Sequence, residues 1–138
     1  MKRKCWCGSQ LDYHDCHEAF DKKLKQYKKH GYLIPNHKMI KNEKQIEAIK
    51  RAAVVNNGLL DYIEEHIQIG MTTQDIDDMA VAYTSSHGGY SADLNCEGYP
   101  KSICTSVNDE VCHGIPGDYV LQDGDIINVD ATTGVNGY

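Results

Sequence analysis

Tyr99-Pro-Lys-Ser-Ile-Cys-Thr-Ser-Val-Asn-Asp-Glu-Val-Cys-His-Gly-Ile-Pro116, followed by Asp123-Gly-Asp-Ile-Ile-Asn-Val-Asp130, decides the reading of this 138-residue chain. Ser102–Val107, Glu110–His113 and Ile126–Thr132 are rich in β-branched residues and bounded by Asn, Asp and Gly, so they are expected as antiparallel strands. Gly134-Val-Asn-Gly-Tyr138 reads as a turn opening a further strand. His113 lies between Cys112 and Gly114-Ile-Pro116, and is expected at a strand end where a turn exposes its imidazole. Asp130 closes an apolar strand, where an ionised carboxylate is costly to bury unless it is paired or bound to a cation. A carboxylate so placed is a natural ligand for a divalent ion, but one carboxylate alone binds such an ion poorly. Ala131–Tyr138 offers it no partner.

Upstream, two helices are expected to pack on these strands. Asn42 with Gln45 has the spacing of a capping box, and Ile46, Ile49, Ala53, Leu60, Ile63 and Ile67 recur at three- and four-residue intervals, with Gly70 as the terminator. Thr72 with Asp75 offers a second box, and Ile76, Met79, Ala80 and Tyr83 form the next apolar stripe, stopped by Gly88-Gly89. Helices followed by strands, rather than alternating βαβ units, give an α+β class. Three regions are expected: 1–20, a Cys/His-rich patch; 21–40, a basic helix and a linker containing Gly31 and Pro35; and 41–138, the α+β domain.

Cys5, Cys7, Cys16 and His17 have the spacing C-x-C-x8-C-H. Two close pairs of soft ligands around a short loop suit one tetrahedral Zn²⁺, and a segment too short for its own core would depend on that metal to fold. His14 and Asp15 are alternative ligands. The Cys-x-Cys-Gly-Ser opening and terminal Cys-His pair resemble the SEC-C motif, although its usual basic centre is here Leu11, Asp12 and His14.

Charge divides the chain. Met1–Arg51 carries 13 of the 14 Lys and Arg against 6 acids, whereas Ala52–Tyr138 carries 1 base against 14 acids. The run Lys22-Lys-Leu-Lys-Gln-Tyr-Lys-Lys29 is read as a solvated helix face, with contact to a polyanion such as RNA as the functional alternative. No apolar run approaches the roughly 20 residues of a membrane span, and Met1-Lys-Arg-Lys leads into Cys-Trp-Cys rather than a signal-peptide core. A cytoplasmic location is therefore expected, with six reduced cysteines acting as ligands, reactive thiols or core residues.

The blocks Tyr99-Pro-Lys-Ser-Ile-Cys104, Val111-Cys-His-Gly-Ile-Pro116 and Asp123–Asp130 resemble those of type I methionine aminopeptidases, which have the creatinase or pita-bread fold. The resemblance runs from about Ile40 to Tyr138 and implies the N-terminal half of that fold. It implies removal of the initiator methionine from a peptide or nascent chain, assisted by two divalent ions (Co, Mn, Fe or Zn). Asp130 corresponds to the first metal-ligating aspartate, His113 to the histidine that contacts substrate, and Tyr99 and Cys104 to residues lining the methionine pocket. Asp93 and Cys96 depart from the family, which more often places apolar, Pro or aromatic residues there.

The family's remaining ligands, a second aspartate, a histidine and two glutamates, are expected beyond Tyr138. These 138 residues alone are accordingly expected to be inactive and to expose an apolar sheet edge. Two alternatives stand beside this: a non-catalytic zinc-bearing module that docks on the ribosome or another partner through its basic arm, and a related creatinase-fold Xaa-Pro peptidase. Neither DNA nor a membrane is an expected partner.

Overall fold

The computed structural model describes residues 3–138. It divides into two compact units, Met1–Ile46 and Glu47–Tyr138.

In the first unit the chain makes an isolated antiparallel bridge between Lys4 and Asp12, a short helix α1 (Tyr13–Cys16), and helix α2 (Glu18–Lys29). The lysines of α2 are solvent-exposed, and the one buried residue of the helix is Asp21. An extended segment leads to a 3-10 turn at His37–Met39, capped by the Asn36 side chain, which accepts the Lys38 N–H at 2.9 Å.

Helix α3 (Glu43–His66) starts where the capping box places it. Asn42 Oδ1 accepts the Gln45 N–H and Gln45 Oε1 accepts the Asn42 N–H, each at 3.0 Å. It ends at His66, four residues before Gly70, which instead adopts φ +90 in the turn that follows and donates its N–H to the Leu121 carbonyl at 2.9 Å.

The buried face of α3 agrees with the expected one at Ile63 and differs from it over the preceding turns. Ala48, Ala52, Leu59 and Ile63 are buried, whereas Ile46 and Ile49 are each 42% exposed and Ala53 and Leu60 also face solvent. A Cβ on Gly58 would lie 2.3 Å from the Tyr83 hydroxyl, so the absence of a side chain there makes room for the end of the Tyr83 ring beside Leu59.

Helix α4 (Thr73–Ser86) begins with the Thr72/Asp75 box, both arms of which are made. It buries Ile76 and Ala80, with Met79 and Tyr83 packed beside them. Leu59, Ile63, Ile76, Ala80, Ile103, Val107 and Leu121 form one core. Removing a large aliphatic side chain from such a site costs about 2–5 kcal/mol.

Four short strands follow: β1 (Tyr90–Ser91), β2 (Cys104–Val107), β3 (Ile127–Asp130) and β4 (Thr133–Gly134). Antiparallel β1 and β4 form one ladder and antiparallel β2 and β3 the other. The expected strand Glu110–His113 does not form. Asn108 takes φ +52, the Glu110 carboxylate accepts the Val107 N–H at 3.1 Å, and the Glu110 N–H returns to the Val107 carbonyl. This turn turns Val111 out to solvent at 94% exposure. Gly114 then takes the place beside β2, accepting the Thr105 N–H at 2.9 Å.

Candidate metal and peptide site

Register separates the core from the site. Directly opposed antiparallel residues share a face, and successive residues alternate faces. Val107 opposes Ile127 and Thr105 opposes Val129; Val107 belongs to the core, with Ile127 and Val129 packed against it. The other face therefore carries Cys104 opposite Asp130, and Ser106 opposite Asn128. Asp130 is exposed there, so the expected buried carboxylate is corrected: alternation turns it away from the core and leaves it free to meet a cation.

Ser106 carries the arrangement on to His113. Its Oγ accepts the Gly114 N–H at 3.1 Å, while the Gly114 carbonyl is bonded to Thr105. A Cβ on Gly114 would stand 2.1 Å from the Thr105 carbonyl oxygen, so only glycine allows the loop this close to β2. His113 precedes it in a left-handed conformation, φ +58, with an exposed side chain. It is thus held in a loop by its neighbour's bonds, not at the end of a strand as expected.

Tyr99 closes the arrangement. Its hydroxyl lies 3.0 Å from the Ile103 carbonyl oxygen and 3.1 Å from that of Gly114, bridging the Tyr99–Cys104 block to the histidine loop. Burial, then the Cys104 thiol and the charges of Asp77 and Asp93, push its pKa well above the usual phenol value, so it remains a neutral donor. Tyr99, Cys104 and His113 line one cavity of about 470 Å³ with Asp93, Cys96 and Ile115. A larger hollow of about 570 Å³, bordered by Thr73, Asn108, Glu110 and Tyr119, contains none of the expected site residues.

Two supporting residues were not foreseen in these roles. Asp77, on α4, is buried, and its Oδ1 accepts the N–H groups of Ser102 at 2.8 Å and Ile103 at 3.2 Å, fixing the chain just before Cys104. The sequence signal was an acid adjoining the apolar stripe of α4. Asp93 accepts the Thr132 N–H at 3.0 Å, while the Thr132 carbonyl accepts from Ala92 at 2.8 Å. The loop that departs from the family pattern thus grips the residue two places beyond Asp130.

Near the N-terminus, ligand atoms of Cys5, Cys7, Cys16 and His17 all lie within 4.8 Å of one another. The Cys7 and Cys16 sulfurs are 3.7 Å apart, and His17 Nδ1 is 3.3 Å from Cys5 Sγ and 3.0 Å from Cys16 Sγ. A tetrahedral centre with metal–sulfur bonds of about 2.3 Å has sulfur–sulfur edges of about 3.8 Å. The donor set therefore fits one metal ion. Hydrogen bonds from the Ser9 side chain and backbone lower the Cys7 pKa to about 6, favouring the thiolate that a metal requires. The alternatives fall away: His14 Nδ1 pairs with Asp15 at 2.9 Å, and both side chains point to solvent.

The first unit carries a Cys/His cluster whose donors fit a metal ion, and the second a cavity lined by His113 and Cys104 with Asp130 opposite Cys104, which points to a metal-dependent class of protein. Residues 47–138 match the model of metallopeptidase family M24, and residues 3–19 match the SEC-C motif. The chain belongs to metallopeptidase family M24. Methionine aminopeptidase A of Synechocystis is 47% identical over 70% of this chain and 39% of its own length. Methionine aminopeptidase of Chlamydia muridarum is 37% identical over the whole of this chain and 49% of its own.

Among solved structures, methionine aminopeptidase from Rickettsia prowazekii superposes with a TM-score of 0.63 at 43% identity, covering 68% of this chain and 38% of that one. The chain spans about a third to a half of the length of the curated relatives it matches. An X-Pro aminopeptidase of Thermotoga maritima, 22% identical with a TM-score of 0.56, shares the fold. The architecture is thus that of the creatinase, or pita-bread, fold, of which this chain matches a part.

Proposed function

We propose that this chain supplies the substrate pocket and first metal ligand of a methionine aminopeptidase that removes the initiator methionine from peptides and nascent chains. The observation that carries this reading is the convergence of Tyr99, Cys104 and His113 on one cavity, with Asp130 opposite Cys104 on the same face. Tyr99, Cys104 and Ile115 line a part of this cavity whose softness suits a thioether side chain. His113, exposed at the cavity wall, donates a hydrogen bond to the peptide as negative charge develops on it. Asp130 contributes one carboxylate to a site for two divalent ions (Co, Mn, Fe or Zn) that further donors complete. Such ions, when bound, lower the pKa of water and polarise the scissile carbonyl.

In the same reading the N-terminal cluster holds one structural Zn²⁺ through Cys5, Cys7, Cys16 and His17. The exposed lysines of α2 offer the ribosome a basic surface, and the protein works in the cytoplasm. Among the described residues no helix is long and apolar enough to cross a membrane.

The test joins residues 1–138 to the remaining length of the Chlamydia muridarum relative and measures methionine release from Met-Ala-Ser with Mn²⁺ or Co²⁺. Turnover that falls at least a hundredfold in both His113→Ala and Asp130→Asn is expected. Turnover indifferent to both substitutions removes the assignment.

A further inference from the structure

Asp21 is the one buried residue of an otherwise solvent-facing basic helix, and its carboxylate collects side chains from three other segments. The Trp6 indole donates to Oδ2 at 3.0 Å, the Tyr13 hydroxyl to the same oxygen at 2.9 Å, and His37 Nε2 to Oδ1 at 3.1 Å. These donors outweigh burial and hold the carboxyl below its ordinary pKa. The carboxylate therefore accepts all three, which places the His37 proton on Nε2.

The three donors lie in different parts of the arm. Trp6 sits between two candidate metal ligands, Cys5 and Cys7, and Tyr13 lies in α1, which ends at the third, Cys16. His37 belongs to the 3-10 turn beyond the extended segment. Its imidazole stacks on the Trp6 indole, with centroids 4.0 Å apart and planes inclined by 17°, and the same indole lies 4.6 Å from the ring of His17, the fourth ligand.

We infer that Asp21, Trp6 and His37 form a latch that couples metal occupancy of the Cys/His cluster to the seating of the 37–39 turn on the arm. A metal fixes Cys5 and Cys7, and with them the indole between them. The fixed indole presents one face to His37 and its N–H to Asp21, which then receives the imidazole. Without the metal, the loop that carries Trp6 keeps its backbone bonds, such as the Cys5 N–H to the Leu11 carbonyl, but loses the anchors on either side of the indole, and the turn's stacking surface and acceptor geometry loosen. By thermodynamic reciprocity, the seated turn must strengthen metal binding to the same degree. His37, which is not itself a ligand, is thus a positioning residue for the metal site. This rests on the proposal that the cluster holds a metal.

The test uses the full chain and Zn²⁺ competed against a chromogenic chelator, read together with the emission of Trp6, the sole tryptophan. The wild-type chain is expected to bind one equivalent, and stripping it should shift Trp6 emission to the red and open the indole to a soluble quencher. His37→Ala should weaken Zn²⁺ about tenfold, the scale of outer-shell losses at metal sites. His37→Phe, which keeps a stacking ring but loses the N–H, should fall between, and His30→Ala should match the wild type. Zinc affinity in His37→Ala within twofold of the wild type, or Trp6 emission unchanged on stripping, overturns the latch while leaving the metal site standing. A wild-type chain that takes up no zinc overturns both.

Discussion

Replacing Asp77 tests how the pocket is held. Its Oδ1 alone accepts the N–H groups of Ser102 and Ile103, both buried against α4, and Ile103 is among the most completely enclosed side chains of the core. In Asp77→Ala both amides lose their acceptor in a place water cannot easily reach. A buried group left unsatisfied costs about 1–3 kcal/mol, so the pair is worth roughly 2–6 kcal/mol. Asp77→Asn discriminates between lost bonds and lost charge. Both amides converge on one oxygen, which an amide carbonyl can replace, so this variant should lose no more than about 1–2 kcal/mol through the weaker neutral acceptor. Urea unfolding followed by circular dichroism gives both values, and thiol reactivity of Cys104 reports locally on the chain after Ser102. Asp77→Ala within 0.5 kcal/mol of the wild type, or Asp77→Asn as damaging as Asp77→Ala, would refute the reasoning.

Three further outcomes follow from the geometry. Leu59→Ala should cost about 2–5 kcal/mol and Ile49→Ala less than about 1 kcal/mol in the same unfolding assay, because only Leu59 lies on the packed face of α3; equal losses would restore the face expected from sequence. Cys7→Ser combined with Cys16→Ser should abolish the single zinc equivalent measured by elemental analysis, and undiminished zinc would remove the cluster assignment. Stability should also fall on acidification. The Thr72 hydroxyl and amide hold Asp75, and the Asn108 amide followed by the Gln122 N–H hold Asp125, each below its ordinary pKa. Their folded-state pKa values lie below the unfolded ones, so their contribution is complete above about pH 4 and is lost as the pH drops through the lowered values. Urea midpoints compared at pH 6 and pH 3 should decrease, with a smaller decrease in Asp125→Asn; a midpoint that rises on acidification contradicts the assignment.

What was legible in the sequence was local. The Asn42/Gln45 and Thr72/Asp75 boxes need only three-residue spacing, and both form. The Cys/His cluster was likewise visible in its spacing, and only the direction of the His14 and Asp15 side chains was needed to reject them as alternative ligands. The errors arose where distant partners decide. Hydropathy selected Ile46, Ile49 and Leu60 for the buried face of α3, but Ala48, Ala52 and Leu59 are the buried residues there, while Ile63 is buried as expected. Val111 suggested a strand, but the seat beside β2 belongs to Gly114. Asp77 could not be assigned its role because the amides it holds lie 25 and 26 residues away. The side-chain alternation of β3 was readable, yet which face lay inward depended on its register with β2.

Methionine release is the direct test of the central claim. The 138-residue polypeptide, supplied with Mn²⁺ or Co²⁺ and Met-Ala-Ser, presents the pocket of Tyr99, Cys104 and His113 but only Asp130 from the proposed metal site. It should release no methionine above the metal-only blank, whereas the same residues joined to the remaining length of the Chlamydia muridarum relative should turn over and depend on His113 and Asp130. Turnover by the 138 residues alone, or a joined protein that works equally well as Asp130→Asn, would contradict the account.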